Sequence, residues 1–166
     1  MSAPRAERWV VMGVSGSGKS TLGIALAKAL DVRFEEGDDY HPAANIAKMR
    51  AGQPLTDADR AGWLARLAEL IRQAAAAEAG MVLSCSALKR RYRDQLRAAD
   101  PALRFIHLDG ERALLAQRMQ ERAGHYMPLA LLDSQLETLQ ALQADEAGMR
   151  LDIRQQTTQL LAQILE

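Results

Sequence analysis

Cysteine, net charge and long apolar runs are all scarce in this sequence, and each absence excludes a class of protein. Cys85 is the single cysteine among 166 residues, so no internal disulfide can form and a reducing compartment is expected. The 21 basic residues balance 21 acidic residues, which argues against a protein that mainly coats nucleic acid. One cysteine and three scattered histidines make no zinc-type ligand cluster.

Membrane and export signals are also missing from the sequence. No apolar run approaches the ~20 residues that a membrane-spanning helix needs, and the charged residues 1–8 precede no apolar export segment. Hydrophobic residues make up 48% of the chain and charged residues 25%, which is typical of a globular protein. We therefore expect one cytoplasmic domain that spans residues 1–166, with no membrane and no nucleic-acid partner.

Short apolar runs alternate with longer helical patterns along the chain. Residues 9–12 form an apolar run that ends at Gly13, as a buried strand does, and Leu22 and Leu26 then recur at helical spacing. Further strands are predicted near residues 34, 81–83, 105–108 and 149–153. Strands separated by helices favour a parallel sheet with helices on both faces. Ligands of such sheets bind beyond the carboxyl ends of the strands.

Residues 13–20, Gly-Val-Ser-Gly-Ser-Gly-Lys-Ser, match the phosphate-binding pattern G-x-x-x-x-G-K-[ST] between a predicted strand and a predicted helix. Glycines let successive backbone N–H groups turn toward a phosphate, and the following helix adds the positive end of its dipole. Lys19 can reach the β- and γ-phosphates, and the Ser20 hydroxyl can ligate Mg²⁺. A dinucleotide fingerprint would require glycine in place of Thr21. The loop therefore predicts an ATP site made of Gly13, Val14, Ser15, Gly16, Ser17, Gly18, Lys19, Ser20 and Thr21.

A second polar segment, residues 37–42 with the sequence Gly-Asp-Asp-Tyr-His-Pro, follows the second predicted strand. A carboxylate there can accept a proton from an attacking hydroxyl or hold the water shell of Mg²⁺. We predict Asp38 for this role and leave open whether it acts as base, as metal-shell ligand or as both. The third predicted strand, residues 81–83, runs into Ser84-Cys85-Ser86, without the carboxylate that other P-loop proteins use to hold the metal.

Several motifs, in order along residues 9–139, resemble the gluconate kinase (gluconokinase) family of P-loop small-molecule kinases. They are the phosphate loop and Gly-Asp-Asp-Tyr-His-Pro, then Asn-Ile-Ala-Lys-Met at 45–49, the segment at 52–60, Cys-Ser-Ala-Leu-Lys at 85–89, His-Tyr-Met-Pro at 125–128 and the segment at 132–139. The resemblance implies an α/β P-loop fold in three layers, with a five-stranded parallel sheet, a helical lid near residues 118–138 and commonly a homodimer. It also implies ATP-dependent phosphorylation of the 6-hydroxyl of D-gluconate, which yields 6-phospho-D-gluconate and ADP in gluconate catabolism.

Gluconate is a polyol with one carboxylate, so its site requires cations and hydrogen-bonding groups. Lys89 and Arg93 lie four residues apart and would share one helix face, although a solvated basic face is the open alternative. The predicted substrate contacts are Asp38, His41, Lys48, Arg60, Lys89, Arg93 and His125.

Arg118 and Arg122 also lie four residues apart, just before Gly124. A basic lid that closes over the phosphates excludes water and stabilises the charge that moves during transfer. We predict both arginines as nucleotide-binding lid residues, with an exposed helix face as the alternative. We also predict Arg122 as a catalytic residue, together with Lys19 and Asp38.

Other functions remain open at this point. A kinase for shikimate or another sugar acid would keep the phosphate loop and change the acceptor pocket. A nucleotide-dependent switch is disfavoured because the Asn-Lys-x-Asp guanine motif is missing, and a nucleic-acid kinase is disfavoured because the net charge is zero. Trp63, Cys85 and His107 are predicted to be packing residues without a chemical role.

Overall fold

The computed structural model describes residues 6–121 and 129–166. The strands are β1 (Arg8–Met12), β2 (Arg33–Glu36), β3 (Met81–Ser84), β4 (Arg104–Asp109) and β5 (Gly148–Asp152). The helices are α1 (Lys19–Leu30), α2 (Ala43–Arg50), α3 (Asp57–Ala76), α4 (Arg90–Ala99), α5 (Arg112–Glu121), α6 (Leu129–Thr138) and α7 (Thr157–Leu165). In these two ranges the strands form one five-stranded parallel sheet in the order β2-β3-β1-β4-β5, which confirms the predicted sheet. Over the same ranges, no helix is long and apolar enough to cross a membrane.

Helices cover both faces of the sheet because alternate residues of a strand point to opposite faces. Val11 and Ile106 pack into one core with residues of α1, α5, α6 and α7. Val10 and Phe105 pack into a second core with residues of α3 and α4. Burial on both sides accounts for the continuous apolar run in β1. The three-layer α/β arrangement that the motifs imply is therefore confirmed.

The first strand lies at the centre of the sheet, between β3 and β4. The chain passes from β1 to β2 and β3 on one side and then crosses to β4 and β5 on the other side. At such a switch point the loops after neighbouring strands separate and leave a crevice. The phosphate loop directly follows β1 and therefore lies at this crevice.

A 3-10 turn, Gly37–Tyr40, follows β2 and is held by distant parts of the chain. The Gly37 N–H donates to the Ser84 hydroxyl over 3.2 Å, and the Trp63 indole N–H donates to the Gly37 carbonyl over 2.8 Å. A Cβ atom at position 37 would lie 2.1 Å from the Ser84 carbonyl oxygen, so a larger residue would push β2 and β3 apart. Local periodicity does not predict this turn, because the contacts that hold it come from α3 and β3.

Three residues predicted to be packing residues are buried, and their lack of a chemical role stays a prediction. Trp63, Cys85 and His107 are each 1% exposed. Burial raises the pKa of the Cys85 thiol to about 12, so the reactive thiolate is disfavoured at neutral pH. Neither ring nitrogen of His107 has a hydrogen-bond partner among the described residues, and burial lowers the pKa of His107.

Replacing His107 with leucine should reduce the loss of stability on acidification. In the unfolded chain the His107 imidazole binds a proton near pH 6.5, whereas burial disfavours the protonated ring in the folded chain. The free energy of unfolding therefore falls as the pH drops through this range, by up to about 1.4 kcal/mol per pH unit for one such group. Urea unfolding of both chains between about pH 7.5 and about pH 5.5 measures the slope. Burial also lowers the pKa of His41, which stays in both chains and gives the common background. Equal slopes for the two chains would contradict the prediction.

Candidate active site

The phosphate loop joins β1 to α1, and its backbone explains the glycines in its sequence. Gly16 and Gly18 have φ angles of 83° and 92°, in the left-handed region that glycine adopts without strain. A Cβ atom at Gly16 would also lie 2.9 Å from the Leu115 carbonyl oxygen. Because α1 begins at Lys19, the positive end of its dipole adjoins the loop. This geometry suits a bound phosphate.

Side chains form hydrogen bonds with the backbone in the first half of the loop. Lys19 Nζ donates to the Val14 carbonyl oxygen over 3.0 Å. The backbone N–H of Ser15 donates to Oε1 of Gln135 over 2.7 Å. Gln135 belongs to α6 and lies 120 residues further along the chain, so sequence reasoning did not connect it with the loop.

A cavity of about 560 Å³ lies beside the loop and the first turns of α1 and α7. Residues 16–18 form one wall, and residues 153–157, which carry no recognisable motif, form another. Arg118 also lines this cavity and donates from Nη2 to the Ile153 carbonyl oxygen over 2.5 Å. The volume is within the usual range of ligand sites, so the cavity can hold a nucleoside whose phosphates extend into the loop.

A second cavity, of about 40 Å³, is lined by two other loop residues, Ser15 and Lys19. Three predicted acceptor residues, Asp38, His41 and Arg60, line the same cavity, and the Asp38 side chain is 64% exposed. Its remaining walls are Met49, Pro54, Leu55, Trp63, Ser86, Leu131, Ser134 and Gln135. This volume has room for only a few water molecules. A bound sugar acid would therefore extend from this enclosed part into the open space beside the exposed Asp38 side chain.

Neighbouring side chains hold His41 and Arg60 in the smaller cavity. The His41 ring stacks on Trp63 with centroids 4.0 Å apart, and its Nδ1 lies 3.2 Å from the Asn45 amide nitrogen. Burial lowers the pKa of His41, which favours the neutral ring with one donor and one acceptor. Arg60 Nη1 donates to the Tyr92 hydroxyl over 2.9 Å. Both side chains are thus positioned before any substrate arrives.

Glu36, the last residue of β2, lies between two hydroxyl groups near the phosphate loop. Its Oε2 accepts a hydrogen bond from the Ser20 hydroxyl, and its Oε1 accepts one from the Ser84 hydroxyl over 2.5 Å. Ser20 is the residue that the loop motif assigns to Mg²⁺, so a carboxylate adjoins the predicted metal position. Sequence reasoning missed Glu36, although an acidic residue at a strand end close to Asp38 was a visible signal.

Comparisons with known proteins identify the family. The family described as "AAA domain" matches residues 9–142. The gluconokinase of Gluconobacter oxydans (strain 621H) is 53% identical over 141 residues, which cover 85% of this chain and 79% of the relative. The thermosensitive gluconokinase of Escherichia coli (strain K12) is 47% identical over 148 residues, which cover 89% of this chain and 79% of the relative. The chain belongs to the gluconokinase family.

Solved structures agree with this assignment. A gluconokinase from Sinorhizobium meliloti 1021 has a TM-score of 0.88 at 44% identity, and the match covers 98% of this chain and 91% of that one. The APS kinase of Mycobacterium tuberculosis has a TM-score of 0.72 at 19% identity, with 98% and 97% of the two chains covered. The second likeness concerns the fold alone. The P-loop kinase fold and the family resemblance seen in the sequence are both confirmed.

Two predicted substrate lysines of this gluconokinase-family chain form ion pairs with the first turn of α3. Lys48 Nζ lies 2.5 Å from Oδ2 of Asp59, and Lys89 Nζ lies 3.1 Å from Oδ1 of Asp57. Hydrogen bonds from Lys48 and from the Thr56 backbone lower the pKa of Asp59 to about 2. Neither lysine lines the smaller cavity. Lys89 is nevertheless linked to Arg60, because Asp57 also accepts from the Tyr92 hydroxyl, which in turn accepts from Arg60.

Arg93 was predicted to contact the substrate, and the structure corrects this prediction because it places Arg93 in the interior. Its side chain is 0% exposed, as is that of Glu146. The guanidinium donates to both carboxylate oxygens of Glu146, over 2.7 and 3.0 Å, and to the Ala87 carbonyl over 2.9 Å. Burial opposes ionisation of Glu146, but hydrogen bonds from Arg93, Gln143 and Arg97 hold its pKa down at about 2. Arg93 joins α4 to the segment before β5 and has no surface to offer a substrate.

The predicted lid falls only partly within the described residues. Arg122 and His125 lie outside them, so the roles assigned to these two residues stay predictions. The described part contributes Arg118 and Glu121 to the larger cavity. From α6 it contributes Leu131, Ser134 and Gln135 to the smaller cavity.

Replacing Arg93 with alanine should lower the free energy of unfolding by about 3–5 kcal/mol, because the Glu146 carboxylate would stay buried without its bidentate partner. Arg91→Ala is the matched control, since Arg91 lies on the same helix with a side chain 67% exposed, and exposed pairs contribute about 0–1 kcal/mol. Urea unfolding followed by circular dichroism measures both variants. A loss below about 1 kcal/mol for Arg93→Ala would argue against the structural role.

Proposed function

We propose that the protein transfers the γ-phosphoryl group of ATP to the 6-hydroxyl of D-gluconate and releases 6-phospho-D-gluconate and ADP, as a step in gluconate catabolism. The observation that carries the proposal is the position of the phosphate loop between two cavities. Residues 16–18 line the larger cavity, whereas Ser15 and Lys19 line the smaller one. A phosphoryl group held by the loop would thus lie between a donor site and an acceptor site.

The acceptor side supplies groups that match a hydroxylated acid. Arg60 is 9% exposed, and a guanidinium in such a site can bind a carboxylate through two charge-assisted hydrogen bonds. Neutral His41 can donate to one hydroxyl or accept from another. The exposed carboxylate of Asp38 can accept the proton that the attacking 6-hydroxyl loses. These roles support gluconate as the acceptor.

The donor side relies on positioning and charge. Phosphoryl transfer passes through a loose transition state, so holding the reacting oxygens in line and stabilising the charge supply most of the catalysis. Lys19 and the loop N–H groups would hold the β- and γ-phosphates. Arg118 at the larger cavity would add a positive charge on the nucleotide side, as we predict for Arg122.

Mg²⁺ is part of this proposal, and the residues near the loop fit it. Mg²⁺ prefers oxygen ligands and keeps several waters beside a nucleotide. The Ser20 hydroxyl is hydrogen-bonded to the Glu36 carboxylate, which makes an oxygen-only donor set at the start of α1. Ser20 would hold the metal, which when bound neutralises charge on the β- and γ-phosphates. The proposal also includes a cytoplasmic location, which the composition predicts, and a homodimer, which the family resemblance implies.

A coupled assay of ADP release tests the function. The assay compares D-gluconate, other aldonic acids, shikimate and no acceptor, each with ATP and Mg²⁺. We expect release that depends strongly on D-gluconate. Release with another acid alone would keep the reaction type and overturn the acceptor. ATP binding without any acceptor-dependent release would favour a nucleotide-dependent switch.

Asp38→Asn should lower kcat by about 10²- to 10⁴-fold, the usual contribution of a general base, with little change in the gluconate KM. Asp39→Asn is the matched control, because Asp39 is the exposed neighbour in the same turn and does not line the cavity. Steady-state kinetics with thermal unfolding of each variant separates catalysis from folding. An unchanged kcat for Asp38→Asn would assign Asp38 to structure.

Arg60→Gln should raise the gluconate KM by about 10- to 100-fold, which corresponds to the loss of a hydrogen bond to a charged group. The KM of ATP should change little, because Arg60 lines the smaller cavity and not the larger one. Arg66→Gln controls for charge on the exposed face of the same helix. A similar rise in both KM values for Arg60→Gln would remove Arg60 from the acceptor site.

A further inference from the structure

The end of β3 lacks the carboxylate that P-loop proteins commonly use to hold their metal. Ser84 occupies this place, at the same register as Val11 in the central strand. On its other side, Ser84 is paired in register with Glu36 of β2. The Glu36 carboxylate therefore lies at the same register as Ser84, one strand further from the phosphate loop.

Glu36 reaches the phosphate loop across Ser84. Its Oε1 accepts from the Ser84 hydroxyl over 2.5 Å, and its Oε2 accepts from the Ser20 hydroxyl. The Ser84 oxygen in turn accepts from the Gly37 N–H over 3.2 Å. Each partner of the carboxylate is thus a donor that holds it in place, and the small side chain of Ser84 leaves the path to Ser20 open.

The hydrogen bond from Ser20 to Glu36 has a chemical consequence for metal binding. A serine hydroxyl has one proton to donate and two lone pairs to offer. It can ligate a cation through a lone pair only if its proton points away from the cation toward an acceptor. Oε2 of Glu36 is that acceptor, so the Ser20 lone pairs are left for the metal.

We propose that Glu36 is a positioning residue for Mg²⁺ that acts through Ser20 and replaces the missing carboxylate of β3. The inference rests on the proposed function, since it takes the magnesium complex of ATP as the phosphoryl donor. It also assigns different roles to two acidic residues that are close together in the sequence. Glu36 serves the metal through Ser20, and Asp38, which lines the smaller cavity, serves the acceptor hydroxyl.

Calorimetric titration of ATP in the presence and absence of Mg²⁺, without gluconate, tests this role. In the native chain Mg²⁺ should strengthen ATP binding. Glu36→Gln should reduce that gain by about 10- to 100-fold, the usual effect of removing a partner that orients a metal ligand, and should leave the metal-free affinity within about twofold. Paramagnetic resonance of bound Mn²⁺ with ATP gives a second readout that does not depend on turnover.

Glu35→Gln is the matched control, since Glu35 is the preceding residue of β2 and accepts from the Tyr40 hydroxyl over 2.7 Å. It should leave the metal dependence unchanged. Ser20→Ala should remove most of the gain, and Glu36→Gln should add little in that background, because residues that act through one another are not additive.

Three results would overturn the role of Glu36. One is a Glu36→Gln variant in which Mg²⁺ strengthens ATP binding as much as it does in the native chain. Another is an equal loss of affinity for ATP with and without Mg²⁺, together with a lower melting temperature, which would make Glu36 a purely structural link. A third is a double variant in which Glu36→Gln adds its full loss of the Mg²⁺ effect to the loss caused by Ser20→Ala. A native chain that binds ATP equally well with and without Mg²⁺ would instead reject the metal in the proposed function, and this inference with it.

Discussion

The common direction of the five strands places the groups of the proposed reaction at one edge of the sheet. Parallel strands require crossover connections, so the segments after β1, β2 and β3 all leave from the carboxyl edge. These segments carry the phosphate loop, the Asp38 turn and Ser86. Neighbouring strands are roughly 4.8 Å apart, and a core on each face keeps them in register. Groups far apart in sequence therefore meet at hydrogen-bond distances.

Charges near the smaller cavity mostly hold helices together. Lys48 and Lys89 pair with aspartates in the first turn of α3, where the helix dipole also favours negative charge. The Tyr92 hydroxyl accepts from Arg60 and donates to Asp57, so the same network orients the arginine of the cavity. Among the predicted substrate cations that the structure describes, Arg60 alone lines that cavity.

The fold and the phosphate loop could be predicted from the sequence because both depend on residues that are close together along the chain. Arg93 could not be placed in this way, since a buried and a solvated arginine have the same local pattern and its partner Glu146 lies 53 residues away. Glu36 was missed for a related reason. Its importance comes from its register with Ser84 on the adjacent strand, which no local motif encodes. Asp38 and His41 were found because one short polar segment carries both.

The backbone N–H of Ser15 donates to the Gln135 side chain, and the same N–H belongs to the loop that would bind a phosphate. A phosphate oxygen that takes this proton competes with the Gln135 side chain. Gln135 and Ser134 also line the smaller cavity, so a nucleotide bound at the proposed donor site would change one wall of the proposed acceptor site. Thermodynamic reciprocity would then require the acceptor to change nucleotide affinity by the same factor. One hydrogen bond would thereby couple the two proposed sites.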